Sequence, residues 1–168
     1  STPPSKLGLE AGADISAGDA IKALIVKSAN DVAVAVAQHI AGSEERFARA
    51  MTAKARQLGM AATTFRNPHG LPDSVQTTTA RDMVTLGLRL HDDFPKYFGL
   101  FATREFRFNG ETHRNHNPLL FSYEGSEGIK TGYTSASGFN LVASVRREGR
   151  HVVGIYFGGA TAGVRNAH

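Results

Sequence analysis

The apolar period of this chain changes once along its length, and that change limits the folds open to it. Up to about residue 100 apolar side chains recur at helical spacing; beyond it they alternate along short runs broken by tight turns. In residues 17–26 Ala20, Ile21, Leu24 and Ile25 mark one helical face, and Ser16 with Asp19 three residues on forms a capping-box pattern. Residues 31–40 alternate valine and alanine, which also fits a strand. Their length, their alanine content and Gly42 just after them predict a buried helix. Ser28 to Asn30 therefore falls at a junction between helices. Ser43 opens the next helix with Glu44 and Glu45 in its positive first turn, and Gly59 ends it after about Leu58. Residues 64–73 are dense in turn formers and read as a loop. Thr79 and Asp82 cap a further helix, to about Leu90.

In the second half residues 104–108 alternate charged and aromatic, Asn109-Gly110 is a hairpin turn, and residues 111–114 return. Residues 129–133 predict a strand. Residues 138–146 and 151–157 predict a second hairpin around Glu148-Gly149. Helices followed by antiparallel strands predict an α+β fold, a helical subdomain on one side of a sheet. No repeat or linker divides the 168 residues, which suffice for one domain with a core.

Composition removes several function classes. With 41% hydrophobic and 20% charged residues the chain is globular rather than disordered. The net charge of +4 comes with scattered arginines and no basic face interleaved with aromatics, so no nucleic-acid partner is expected. The absence of cysteine excludes disulfides and thiolate metal sites. No run approaches the ~20 apolar residues of a membrane-spanning helix, and no signal peptide is visible. Ser1-Thr2-Pro3-Pro4-Ser5 reads as an exposed connector.

Two triplets carry the chemistry: Ser28-Ala29-Asn30 and Lys130-Thr131-Gly132. At average residue usage Ser-x-Asn arises by chance about 0.5 times in such a chain, Lys-Thr-Gly on the order of 0.03 times. Taken singly, Ser28 reads as a helix cap, Asn30 as a cap or turn, and Lys130 as a solvated strand lysine. Their surroundings decide between these readings. Lys-Ser-Ala-Asn-Asp at 27–31, Phe-Arg-Asn-Pro-His-Gly-Leu-Pro-Asp at 65–73, Thr-Thr-Ala-Arg-Asp-Met at 78–83 and Gly-Ile-Lys-Thr-Gly-Tyr-Thr at 128–134 follow one another in order. That order, and the sequence from Ser5 to about Arg165, closely resembles the low-molecular-mass penicillin-binding proteins, the serine-type D-alanyl-D-alanine carboxypeptidases of bacteria.

The resemblance implies a penicillin-binding/β-lactamase-like transpeptidase fold. It implies an enzyme that removes the terminal D-Ala of the peptidoglycan stem peptide through an acyl-enzyme and is inhibited by β-lactams. It implies no cofactor and no metal, and an exported protein of the periplasm or cell envelope whose parent is membrane-associated. By the resemblance, Ser28 relays a proton to the leaving nitrogen, as a hydroxyl that both donates and accepts can do. Lys130 bonds Ser28 and places positive charge where the anion develops. Asn30 grips the substrate peptide group, and Thr131 donates to its carboxylate. Gly132 lets the substrate lie alongside as an added strand. The Tyr133 N–H is half of the oxyanion hole. Arg165 is placed near the substrate carboxylate, which suits a guanidinium fork, or is a surface arginine. Gly158-Gly159 matches the family, whereas Ala160 stands where an arginine is common.

The family's nucleophile motif, Ser-x-x-Lys, is absent. Three residues before Lys6, Lys22, Lys27, Lys54, Lys96 and Lys130 stand Pro3, Asp19, Leu24, Met51, Asp93 and Glu127. The expectation is a partial transpeptidase domain over residues 1–168, incomplete at both ends and inactive alone. It stops right after its last strand, before a helix packs back on the sheet. It is completed by the missing N-terminal segment or by a swapped copy of itself. The alternatives are a non-catalytic binder of peptidoglycan stems or β-lactams, and a β-lactamase, whose class A members add a deacylating glutamate. His113 and His116 at i, i+3 lack a carboxylate-bearing helix and read as loop-holding residues rather than a zinc pair. Asp92 and Asp93 read as a helix end, Asn67-Pro68-His69-Gly70 as loop architecture, and Phe101, Phe106, Phe108 and Phe121 as core.

Overall fold

The structure, a computed structural model, describes residues 5–167; residues 1–4 of the expected connector and His168 lie outside the described residues. The first half is helical: α1 (Ala17–Lys22), a π-helical turn (Ala23–Lys27), α2 (Asn30–Ala41), α3 (Glu44–Gln57), α4 (Ala80–Asp93) and a short α5 (Pro95–Phe98) leading into a 3-10 turn (Gly99–Ala102). The second half holds β1 (Glu105–Phe108), β2 (Glu111–Arg114), a one-turn α6 (Leu119–Ser122), β3 (Ser126–Thr134), β4 (Gly138–Arg147), β5 (Arg150–Gly159) and α7 (Ala162–Ala167).

Local chemistry sets the helix ends. The Ser16, Ser43 and Thr79 hydroxyls each accept an amide three residues on, from Asp19, Arg46 and Asp82. Gly42 closes α2 in the left-handed region, at φ 75°. The helix expected over 17–26 is not uniform. Its second half widens to the π-helical turn, which ends at Ser28, also left-handed.

The strands form two antiparallel sheets, β1-β2 and β3-β4-β5 in that order. Lys130 stands opposite Val142, and Gly132 opposite Asn140. Both outer strands of the larger sheet, β3 and β5, keep a free edge among the described residues. Helix α4 packs on β4 and β5. Gly87 makes that approach possible: a Cβ there would come within 2.9 Å of Val153 Cγ1 and 3.3 Å of Ile129 Cδ1. A core of Ala20, Ala23, Val26, Val32 and Phe106 lies under the π-helical turn, with Phe101 and Phe108 packed against it. Phe121 lies beside Arg114 and Arg104, its centroid 4.0 and 5.8 Å from their guanidinium carbons.

Three expectations need correction. A helix does follow the last strand: α7 packs on β4 and β5 with Arg165 buried. Ser5 is no free connector, since its hydroxyl donates to the Lys27 carbonyl at 2.6 Å. The loop after β2 is held by asparagines rather than histidines. Asn115 donates to the Thr103 carbonyl at 2.8 Å and accepts the Asn117 amide at 2.9 Å, and Asn117 accepts the Leu119 amide at 3.2 Å.

Candidate active site

The two triplets stand on different elements, one at the end of the π-helical turn and the start of α2, the other on β3. Ser28 ends the π-helical turn with φ 56° and ψ 43°. A residue with a β-carbon occupies that region at a cost of about 1–2 kcal/mol, so the surroundings must enforce it. Ala29 is fully buried, which leaves room for no larger side chain there, and Asn30 begins α2. Serine and asparagine are thereby carried on a short arm around a buried pivot.

Lys130, Thr131, Gly132 and Tyr133 lie in sequence on β3, whose outer edge is unpaired among the described residues. The only neighbour a Cβ at Gly132 would meet is Asn140 Cβ, at 4.0 Å. Packing inside the protein therefore does not demand glycine at this position. A chain laid along the strand from outside would.

Lys130, Ile129 and Val142 border a trough of about 550 Å³ between the sheet and the helical half. Leu24 and Met51 line it from the helical half, Leu86 and Gly87 from α4, Phe101 from the 3-10 turn, and Lys130 is its one charged lining residue. Burial and the nearby Arg165 guanidinium bring the Lys130 ammonium down from 10.5 to about 8. Its Nζ donates to the Thr131 carbonyl at 2.9 Å, so the bond expected between Lys130 and Ser28 is not made here. Among the described residues the Ser28 and Thr131 hydroxyls and the Asn30 side-chain amide have no hydrogen-bond partner.

Arg165 lies deeper than a surface arginine. It is buried, its Cβ is 3.1 Å from where a Cβ on Gly159 would stand, and its Nε donates to Asn166 Oδ1 at 2.9 Å. Its charge helps to lower the Lys130 pKa.

His116, expected to hold a loop, is electrostatically linked to Lys130 instead. Burial, then Lys130, then Lys27 depress its pKa. His113, its supposed zinc companion, instead packs against Phe106 with ring centroids 6.1 Å apart. Asn67 accepts the Gly70 amide at 2.7 Å and donates to the Leu71 carbonyl at 2.8 Å, which makes residues 67–70 loop architecture beside the trough. The signal that could have drawn attention to His116 is its place between two asparagines, each able to fix a turn with its side chain.

Comparison with known proteins accounts for this arrangement. The profile of peptidase family S11, D-alanyl-D-alanine carboxypeptidase, matches residues 2–161. The D-alanyl-D-alanine carboxypeptidase DacC of Escherichia coli is 38% identical over 162 residues, which are 96% of this chain and 40% of that protein. Penicillin binding protein 5 from Haemophilus influenzae superposes with a TM-score of 0.93 at 34% identity, covering 97% of this chain and 48% of that one. Penicillin-Binding Protein D2 from Listeria monocytogenes, solved in its ampicillin-bound form, superposes with a TM-score of 0.82 at 28% identity over 90% of this chain and 63% of that one. The chain thus spans well under two thirds of the length of DacC, and it belongs to the D-alanyl-D-alanine carboxypeptidase family, peptidase family S11.

Proposed function

We propose that these residues form the substrate-gripping part of a serine D-Ala-D-Ala carboxypeptidase, acting on peptidoglycan stem peptides in the cell envelope. The nucleophile comes from a Ser-x-x-Lys segment that this sequence does not contain. The observation that carries the reading is the trough: mostly apolar along its walls, with a single ammonium, that of the desolvated Lys130, lining it and an open strand edge on the same strand. An apolar helix bearing a serine would bury its side chains there and present that serine to Lys130. The segment belongs to the rest of the same protein or to a second copy of it.

The roles follow from chemistry. The substrate backbone adds to the open edge of β3, where Gly132 leaves clearance and the Tyr133 N–H would hold a developing oxyanion. Asn30 grips the substrate amide and Thr131 its terminal carboxylate, with Arg165 adding positive charge from beneath. Lys130 at about 8 gives up a proton at pH 7 for about 1.4 kcal/mol, against almost 5 for an ordinary lysine. It can therefore pass a proton through Ser28 to the leaving amine once the Lys130 side chain swings from the Thr131 carbonyl to the Ser28 hydroxyl. A β-lactam mimics the same acyl donor and would be held by the same groups.

The test is incubation of the 168-residue chain with a fluorescent penicillin. The expected result is no covalent labelling. A stable adduct would show that the chain holds a nucleophile of its own and would overturn the reading.

A further inference from the structure

Something must hold Ser28 in its left-handed conformation, and one restraint comes from a segment far away in sequence. Ser5 bonds on both sides of Ser28. Its hydroxyl donates to the Lys27 carbonyl at 2.6 Å, and its carbonyl accepts the Asn30 amide at 2.9 Å. The strap continues through Leu7, Gly8 and Leu9, with Leu7 and Leu9 packed on the core under the arm. The amides of Leu7, Gly8 and Leu9 all converge on one carboxylate, that of Asp31. Oδ1 accepts Leu7 at 3.0 Å, and Oδ2 accepts Gly8 at 2.8 Å and Leu9 at 3.1 Å. Oδ1 also accepts the Val32 amide at 3.0 Å, which ties the carboxylate to the first turn of α2. Gly8 sits at φ 84°, so successive N–H groups can turn toward one point and form an anion-binding nest. The anion filling it belongs to the chain itself.

We propose that Asp31 is the positioning residue of the Ser28-Asn30 arm. Its carboxylate anchors the strap of residues 5–9, and the strap, through Ser5, clamps the backbone on either side of Ser28. The inference rests on reading Ser28 and Asn30 as the substrate arm. The carboxylate form is required. An asparagine of the same size offers one acceptor oxygen and turns an NH₂ toward N–H donors, so it cannot satisfy the three strap amides. Burial by itself would raise the Asp31 pKa, but the amides of Leu7, Leu9, Gly8 and Val32 outweigh it and hold the carboxyl ionised.

The test reads the arm and not catalysis, so it stands apart from any failure of the carboxypeptidase assignment. Amide hydrogen exchange and the Ser28 backbone shifts and HN–Hα coupling are measured by NMR on the full chain. The variants are Asp31→Asn, Ser5→Ala, and Asp82→Asn as a control. Asp82 is a buried carboxylate; it accepts the Ala62 amide at 3.0 Å and the Thr63 hydroxyl at 2.6 Å. Asp31→Asn should speed exchange at Leu7, Gly8, Leu9 and Asn30 by about tenfold or more beyond any change at strand amides such as Ala143. It should also move Ser28 away from its left-handed signature. Ser5→Ala should move Ser28 the same way by less, and Asp82→Asn should leave Ser28 unmoved. Uniform acceleration over the chain would make Asp31 a general stabiliser and overturn the proposal. A released strap with Ser28 unchanged would overturn it equally, as would an unmoved Ser28 in Ser5→Ala.

Discussion

Strand β3 carries two polar sites three residues apart, and they are built on opposite principles. Around Lys130 polar capacity is left unspent. The ammonium reaches only a neighbouring carbonyl, at 2.9 Å, and the Ser28 and Thr131 hydroxyls and the Asn30 side chain have no partner among the described residues. Around Glu127 most of it is used in side-chain pairs, although Glu127 Oε2 and the neighbouring Ser126 hydroxyl are buried without a hydrogen bond. Glu127 accepts Arg146 Nε at 3.0 Å, and Arg146 meets His91 Nε2 at 2.9 Å. His91 pairs with Asp92 at 2.8 Å, and His151 meets the buried Ser144 hydroxyl at 2.8 Å. The imidazoles of His91 and His151 lie 4.3 Å apart, joining α4 to the sheet. A serine, a histidine and a glutamate are thus neighbours at the second site. Its serine is fully buried, however, and the same nitrogen of His151 faces both Ser144 and Glu127. A catalytic triad needs one ring nitrogen for each partner. The second site is knit by side-chain pairs, whereas the free polar groups at Ser28, Asn30 and Thr131 are the ones the proposed function gives to a ligand.

This contrast can be broken by substitution, and the largest effect belongs at Lys130. In a chain joined to a Ser-x-x-Lys segment, Lys130→Ala should slow acylation by penicillin by about 10²–10³-fold. Below pH 8 its folding stability should hold or rise, on the order of 1 kcal/mol, because a desolvated cation is removed. Stopped-flow labelling and urea unfolding read the two halves. A parallel loss of stability and rate would make Lys130 structural.

Gly132→Val should come next. The site has room inward, with Asn140 Cβ at 4.0 Å, so urea unfolding should shift by less than about 1 kcal/mol. Acylation of the completed protein should nonetheless fall by about tenfold or more, because the side chain stands where the substrate strand docks. Unchanged acylation would remove β3 from the substrate path.

The titrations differ in sign and are smaller. Lys130 should titrate near 8 by the NMR shift of its Cε, against 10.5 for an ordinary lysine. Stability should rise with pH between those values, since the unfolded chain there still binds the proton that the folded one has released. At the second site burial, then His91 and Arg146, lower the His151 pKa more than Glu127 and Asp92 raise it. Stability should therefore fall as pH drops from about 6.5 toward the lower folded value, and His151→Phe should flatten that slope. A slope surviving the substitution would place the proton elsewhere.

Much of the fold was legible because its signals are local. Ser16, Ser43 and Thr79 cap their helices as their spacing to the first turn predicts, and both hairpin turns fall where Asn109-Gly110 and Glu148-Gly149 place them. The short helices α5, α6 and α7 escaped because four to six residues carry no readable period. The widening of the first helix into a π-helical turn escaped for a different reason: Ala23 to Lys27 read as good α-helix, and only the left-handed Ser28 that ends the turn demands otherwise. In the site, the two triplets were legible as motifs. Asp31 and His116 were not. One draws its meaning from amides more than twenty residues earlier, the other from lysines on two distant elements.

The central proposal is that this chain carries substrate-gripping groups of the cleft, whereas the nucleophile, its lysine and the second oxyanion N–H come with a Ser-x-x-Lys segment. It is tested most directly by intact-mass measurement after penicillin treatment of the chain with and without a Ser-x-x-Lys segment fused before Ser5. A single adduct on the serine of the added segment, with none on the bare chain, is the result expected. An adduct on the bare chain, or a folded fusion that takes up no penicillin, would contradict it.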